Sequence, residues 1–301
     1  STGYYQNFSD AHNLMSYRHT RAHNSLLVNG IGQPYSTEGY GSVMRAMGGQ
    51  HISYCLGDAS HAYRSISNDP MWVDYFKQAG IEQTPENGFG ATPLTKYRRH
   101  VLMLHPHTVI VYDELEASEA VRWEWLLHSP TEFKIDAVKK TLSTDNKTKG
   151  WVAVTQLFGG HVFTLSQTDR FVVPPAITGA EYPNQWHLTA RVDGCSATRF
   201  LAIIQVGDEA VSIINRDGDT FNVGDWTIKA VLDASKAPEL TVSHRTEQAV
   251  FSYGTDNPAL NGNFYSRQFT GSSLLYDEID GAYQVVEMTD RSPISTRVVN
   301  Q

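Results

Sequence analysis

Along most of the chain, apolar and polar residues alternate one by one, the spacing that sends successive side chains to opposite faces of a strand. The clearest run is Val121 to His128, where Arg122 and Glu124 alternate with Trp123 and Trp125. The same pattern predicts strands at Ser25–Val28, His51–Leu56, Tyr97–Leu104, Thr108–Asp113, Glu132–Asp136, Trp151–Phe158 and His161–Ser166. It continues at Trp186–Val192, Arg199–Val206, Ala210–Asn215 and Trp226–Leu232. Gly159-Gly160, Asp193-Gly194, Asp217-Gly218 and Gly224-Asp225 punctuate the runs with turn chemistry. One helix is predicted, Pro70–Ala79, with Asp69 as its N-cap, Pro70 in its first turn and Gly80 as its stop. It lies in an excursion between Ser67 and Pro93 that reads as an insertion into the sheet.

These elements predict an all-β fold, a large antiparallel β-sandwich. No blade-length repeat is present, which argues against a propeller. Around Asp233–Pro238 the composition turns small and polar, and short strands resume at Leu240–Val242, Ala249–Tyr253, Ser272–Tyr276 and Tyr283–Met288. The expected division is therefore a sandwich over 1–234 and a smaller C-terminal β module over 235–301.

With 301 residues, 41% hydrophobic and 19% charged, the chain is long enough for one large core or two medium ones. Its net charge of −8 argues against a general nucleic-acid binder. No apolar window reaches the length of a membrane span. Cys55 and Cys195 lack CxxC spacing, so neither zinc-ribbon nor thioredoxin chemistry is indicated. The sequence has no initiator Met and starts amid a motif, which suggests a mature product or a fragment.

Candidate chemistry concentrates at the start. Tyr17 to Gln33 places Arg18, His19, Arg21 and His23 within six residues, followed by Asn24, Ser25 and the apolar Leu26-Leu27-Val28. A strand entrance carrying Arg, His and Asn suits an anion or a metal, and it also reads as a solvated lead-in. Tyr4, Tyr5 and Tyr17 stand close by, and a Tyr beside a cation can act as acid or base. Each equally reads as a packed aromatic. Asp10 is the one acid in the first 23 residues, so that segment alone does not complete a metal site. The second basic run, Lys96–His100, reads as a solvated strand face, and Asp58 and Asp113 read as turn residues ending strands. No GxSxG, Walker A or GxGxxG setting occurs.

Four stretches carry a resemblance. Arg18-His-Thr-Arg-Ala-His-Asn-Ser-Leu-Leu-Val-Asn-Gly-Ile-Gly-Gln33 resembles the signature of the heparinase II/III-like polysaccharide lyases at the start of their C-terminal β-sandwich. Leu56-Gly-Asp-Ala-Ser-His-Ala-Tyr63 resembles that family's GDAS turn, and Tyr97–Leu104 with Val109–Asp113 resembles its paired strands. Arg199–Gln205 is similar to a later core strand, so the matches run in order over most of the first 200 residues.

The resemblance implies a super-β-sandwich preceded by an N-terminal helical toroid that this sequence lacks, with an anionic polysaccharide bound between them. It implies β-elimination on a uronic-acid polymer of glycosaminoglycan or alginate type. Cationic or amide groups neutralise the uronate carboxylate, a Tyr or His takes the C5 proton, and a Tyr protonates the leaving oxygen. Tyr4, Tyr5 and Tyr17 are the candidates for the catalytic Tyr, and Arg18, Arg21 and Asn24 for substrate contact. His23 matches a ligand of Zn²⁺ or a similar divalent ion. A periplasmic or secreted location goes with the family. The chain is expected to hold one wall of an active site and to be inactive alone. The competing readings are a non-catalytic carbohydrate-binding or assembly β-sandwich and an unrelated adhesin-type sandwich.

Overall fold

Alternation without long amphipathic helices produces two antiparallel sheets. A computed structural model describes residues 7–36, 39–136, 138, 141–146, 150–175, 184–207, 214–254, 259–260 and 263–290. The first sheet has ten strands: β1 (Leu26–Val28), β2 (Ser42–Gly48), β3 (Ile52–Asp58), β4 (Leu94–Leu104), β5 (Thr108–Ser129), β6 (Lys134–Asp136), β7 (Thr141–Asn146), β8 (Trp151–Gly159), β9 (Thr164–Thr168) and β10 (Trp186–Gly207). Its order is β2-β3-β4-β5-β10-β8-β7-β6, with β1 added on β5 and β9 on β10. The second sheet has seven strands. It comprises β11 (Asn215–Asp217), β12 (Thr220–Val223), β13 (Trp226–Ala230), β14 (Leu240–His244) and β15 (Val250–Tyr253). After a two-residue pairing of β16 (Ala259–Leu260) with β17 (Asn263–Phe264), β18 (Ser273–Ile279) and β19 (Ala282–Met288) complete it.

The expected strands Thr108–Asp113 and Val121–His128 are parts of one 22-residue strand, β5, and its partner β10 likewise merges two expected strands. Both are irregular at the middle. Residues 116–120 of β5 are mostly exposed, and the β5–β10 register shifts between Val192 and Ala197. Side chains from either half of these strands, such as Leu115 and Phe200 with Trp123, Trp125 and Leu188, share one core with Leu26, Val28 and Tyr63. The long strands therefore bend over that core. A second core lies between the two sheets, where Tyr54, Leu102, Ile110 and Leu201 meet Phe221, Ile228, Val242, Phe251 and Leu275. Each such side chain contributes on the order of 1.5–3 kcal/mol when withdrawn from water.

The seven-stranded sheet runs from Asn215 to Met288, so position 234/235 falls within one sheet. The expected strand at Ala210–Asn215 lies largely outside the described residues. The predicted helix is present as α1 (Pro70–Gln78), and the Asp69 carboxylate accepts the Met71 N–H at 3.0 Å.

Buried polar groups join the sheets. Glu114 on β5 accepts from His100 Nε2 and from Tyr253 Oη, both at 2.9 Å, and pairs with Lys96 Nζ at 2.7 Å. The Tyr54 hydroxyl lies 3.0 Å from His100 Nδ1 and accepts from Ser273 Oγ at 3.1 Å. Burial lowers the His100 pKa, and the neutral ring satisfies both nitrogens by donating to Glu114 and accepting from Tyr54. Asp277, wholly buried on β18, accepts the backbone N–H groups of His51 and Ile52 and so clamps the β2–β3 turn to the second sheet.

Candidate functional site

The chain from Asn13 to Val28 builds the site in three steps. A wide helical turn at Asn13–Tyr17 is followed by a 3₁₀ turn at Thr20–Ala22, and the chain then enters β1, paired to the far half of β5. The 3₁₀ turn rotates successive side chains apart by about a third of a turn. Arg18 and His23 face one side, while His19 and Arg21 face the 85–88 turn.

His19 is wholly buried. Its Nε2 donates to the Gly88 carbonyl at 2.9 Å, and its Nδ1 accepts the Arg21 backbone N–H at 3.1 Å and Arg21 Nε–H at 3.0 Å. Burial, reinforced by the Arg21 charge, pushes its pKa down to about 3 and keeps it neutral. Arg21 Nη2 also donates to the Asn87 carbonyl at 3.0 Å. These two residues staple the 85–88 turn, and the Gly88 backbone, at φ +91°, comes so close that a Cβ there would collide with both side chains.

On the opposite side, Tyr17, Arg18, His23, Tyr35, Asp69 and Trp72 line a pocket of about 410 Å³. The Arg18 guanidinium lies over the Phe8 and Trp72 rings, at 5.1 and 5.2 Å from their centroids, and Nε donates to Asn13 Oδ1 at 3.1 Å. Two aromatic faces set nearly at right angles and the Asn13 side-chain carbonyl thus hold the guanidinium at the pocket wall. Trp72 reaches the pocket from α1, so the insertion supplies one wall. Tyr35 is spent structurally: its hydroxyl donates to the Leu14 carbonyl at 2.6 Å, and burial raises its pKa. Tyr17 is the other phenol of the lining and, like Tyr35, is half-buried.

His23 is exposed at the pocket rim, and partial burial of its other side lowers its pKa. Asp69, the nearest carboxylate in the lining, is committed to capping α1. Among the described residues no group of three His, Cys, Asp or Glu converges to hold a metal. The described residues thus supply one apt ligand, His23, and do not complete a zinc site.

Of the residues singled out from sequence, the fold brings Tyr17, Arg18 and His23 together. Arg21 lines a different pocket, with Asn29, Glu86, Arg122 and Glu124. Asn24 sits exposed beside His23 at the entrance to β1, and Tyr4 and Tyr5 lie outside the described residues. Asp113 does not end a strand: it is buried mid-strand, holding Arg99 through Nε–Oδ1 at 2.7 Å and Nη2–Oδ2 at 2.8 Å, with Trp125 Nε1 at 2.9 Å. Asp58 does form the expected turn, accepting the Ser60 N–H at 3.0 Å, and also pairs with Arg98. Trp72, Asn13 and the Arg99–Asp113 pair had no motif to reveal them, because their roles depend on contacts between distant segments.

The sequence profile described as "Heparinase II/III-like, C-terminal" matches residues 1–190. No curated protein matches the sequence. Among solved structures, a crystal structure titled heparinase III is similar at 13% identity and a TM-score of 0.53, over 84% of this chain and 33% of that one. A mutant of the heparan sulfate lyase HepC from Pedobacter heparinus is similar at 12% identity and a TM-score of 0.51, over 84% and 34%. These likenesses show the fold, and the chain spans about a third of the length of either enzyme.

Proposed function

The chain belongs to the heparinase II/III-like family, and from that premise we propose that it is the sandwich portion of a lyase that cleaves a uronic-acid polysaccharide by β-elimination. The observation that carries the reading is the pocket in which Tyr17, Arg18 and His23 converge inside the family-matched region. Arg18, held at the pocket by Phe8, Trp72 and Asn13, is suited to pair with a uronate carboxylate, and withdrawing charge from that carboxylate acidifies the adjacent C5 proton. Tyr17 in the lining is the phenol assigned to move a proton there, while Asn24, exposed next to His23 in the chain, offers an amide. The titles of the similar structures, heparinase III and heparan sulfate lyase, favour a glycosaminoglycan over alginate.

The remaining wall of the cleft, and a periplasmic or secreted location, belong to the same reading. Zinc enters it only through His23, whose co-ligands would come from outside the described residues, and no step is routed through the ion. The test uses the full-length protein, with unsaturated uronate release followed by absorbance on heparan sulfate, chondroitin sulfate and alginate. Cleavage of at least one polymer is expected, with Tyr17→Phe lowering kcat by about 100-fold or more. Absence of cleavage with retained polymer binding would replace the lyase by a carbohydrate-binding sandwich.

A further inference from the structure

Asn24 is exposed, yet the groups around it fix its geometry. Its carbonyl oxygen accepts from Arg99 Nη1 at 2.5 Å. Its side-chain Oδ1 accepts the His128 backbone N–H at 2.8 Å and lies 3.0 Å from His128 Nδ1. His128 Nε2 in turn lies 2.9 Å from the Arg21 carbonyl. With Oδ1 turned inward onto residue 128, the amide nitrogen Nδ2 is the end that faces out. Arg99 is itself immobilised by the two-pronged pair with Asp113, which is further tied to Trp125 on the folded-over half of β5. His128 is packed laterally on His187, its cross-strand partner, at 4.9 Å between ring centroids. A buried charge pair and a packed imidazole, more than 70 residues away in sequence, thus end on one exposed residue, the first on its backbone carbonyl and the second on its side-chain amide.

We propose that Arg99 and His128 are positioning residues that hold the His23–Asn24 corner and aim the Asn24 amide nitrogen at the substrate. The proposal rests on the lyase reading for the substrate: a uronate carboxylate is the natural acceptor for an outward amide N–H on the residue that follows His23, which lines the Arg18 pocket. Negative charge grows on that carboxylate as the C5 proton leaves, so a fixed donor acts more on the transition state than on the bound substrate. Loss of aim therefore appears in kcat more than in KM.

The experiment is a cycle in the full-length protein combining Asn24→Ala with His128→Ala and with Arg99→Lys, assayed by uronate release and accompanied by crystal structures of the two positioning variants. Either variant is expected to lower kcat about tenfold with KM within threefold, but to cost less than twofold when Asn24 is already Ala. His128→Gln, which retains a donor, is expected to recover most of the loss. In the variant structures the Asn24 amide is expected to adopt more than one orientation. Equal losses with and without Asn24, the pattern of general destabilisation, would overturn the proposal. So would an Asn24 amide unchanged in both variant structures. If the wild-type protein cleaves no uronate polymer the lyase reading falls, and the orientation of Asn24 in the crystals still decides whether Arg99 and His128 hold it.

Discussion

Asp113 and Glu114 are neighbours on β5, both about 1% exposed, and they serve opposite sides of one sheet. Asp113 faces the core under the bent halves of β5 and β10, and its partner Arg99 reaches the corner at Asn24. Glu114 faces the second sheet and gathers His100, Tyr253 and Lys96. A buried carboxylate needs several donors to offset its loss of hydration: Asp113 finds them within its own sheet, and Glu114 finds two there and one, Tyr253, on the second sheet. The strand period of two thus lets adjacent acids divide the work, one holding the site in place and the other joining the sandwich.

The largest expected effect is on the sandwich side. Glu114→Ala leaves His100 and Tyr253 without their acceptor and Lys96 with only Glu116, and should cost about 3–5 kcal/mol, read from urea unfolding midpoints. If it instead left stability intact and disturbed Asn24, the division between the two acids would be wrong. A smaller effect is expected from acid. Burial alone would raise the Glu114 pKa, but His100 and Lys96 outweigh it and hold it at about 2. A carboxyl lowered on folding gives stability that is full above its unfolded pKa of about 4.3 and lost as pH falls toward 2. His100, lowered by burial, erodes stability in the same direction from about pH 6.5 downward. Wild-type unfolding midpoints should therefore fall more steeply between pH 4.5 and 2 than those of Glu114→Gln. The smallest effect is that of Tyr253→Phe, which removes one hydrogen bond to Glu114 and should cost about 1 kcal/mol in the same assay. A loss as large as that of Glu114→Ala would make Tyr253 the main tie between the sheets.

The all-β architecture was legible because alternation is local, and so was α1, whose Asp-Pro start and Gly stop lie within a dozen residues. What escaped was continuity. The Glu116–Ala120 stretch looks like a loop in sequence, but it is the exposed bend of a strand that never breaks its pairing with β10 for long. Strand β2 was missed because Ser42–Gly48 alternates weakly, with five of its seven residues exposed or half-buried and Arg45 buried against Asp290 and Ser273. In the site, the motif reaches Arg18 and His23. It gives no sign that the 3₁₀ turn sends Arg21 the other way, nor that His128, 104 residues on, grips Asn24. Those facts belong to tertiary pairing, which one-dimensional spacing does not encode.

The staple at residues 85–88 divides the insertion into a replaceable part and a fixed part. His19 and Arg21 bind carbonyls of Asn87 and Gly88, which every amino acid possesses, yet the contact tolerates only glycine at 88. Helix α1 meets the rest of the molecule through Trp72, Tyr75 and Phe76, while Met71, Asp74 and Lys77 face solvent. The outer face of residues 70–78 is therefore open to change, while Phe76 and the backbone clip at 85–88 hold the segment to the rest of the molecule. Divergence or grafting can reshape the pocket wall at Trp72 while leaving His23 and Asn24 where they are.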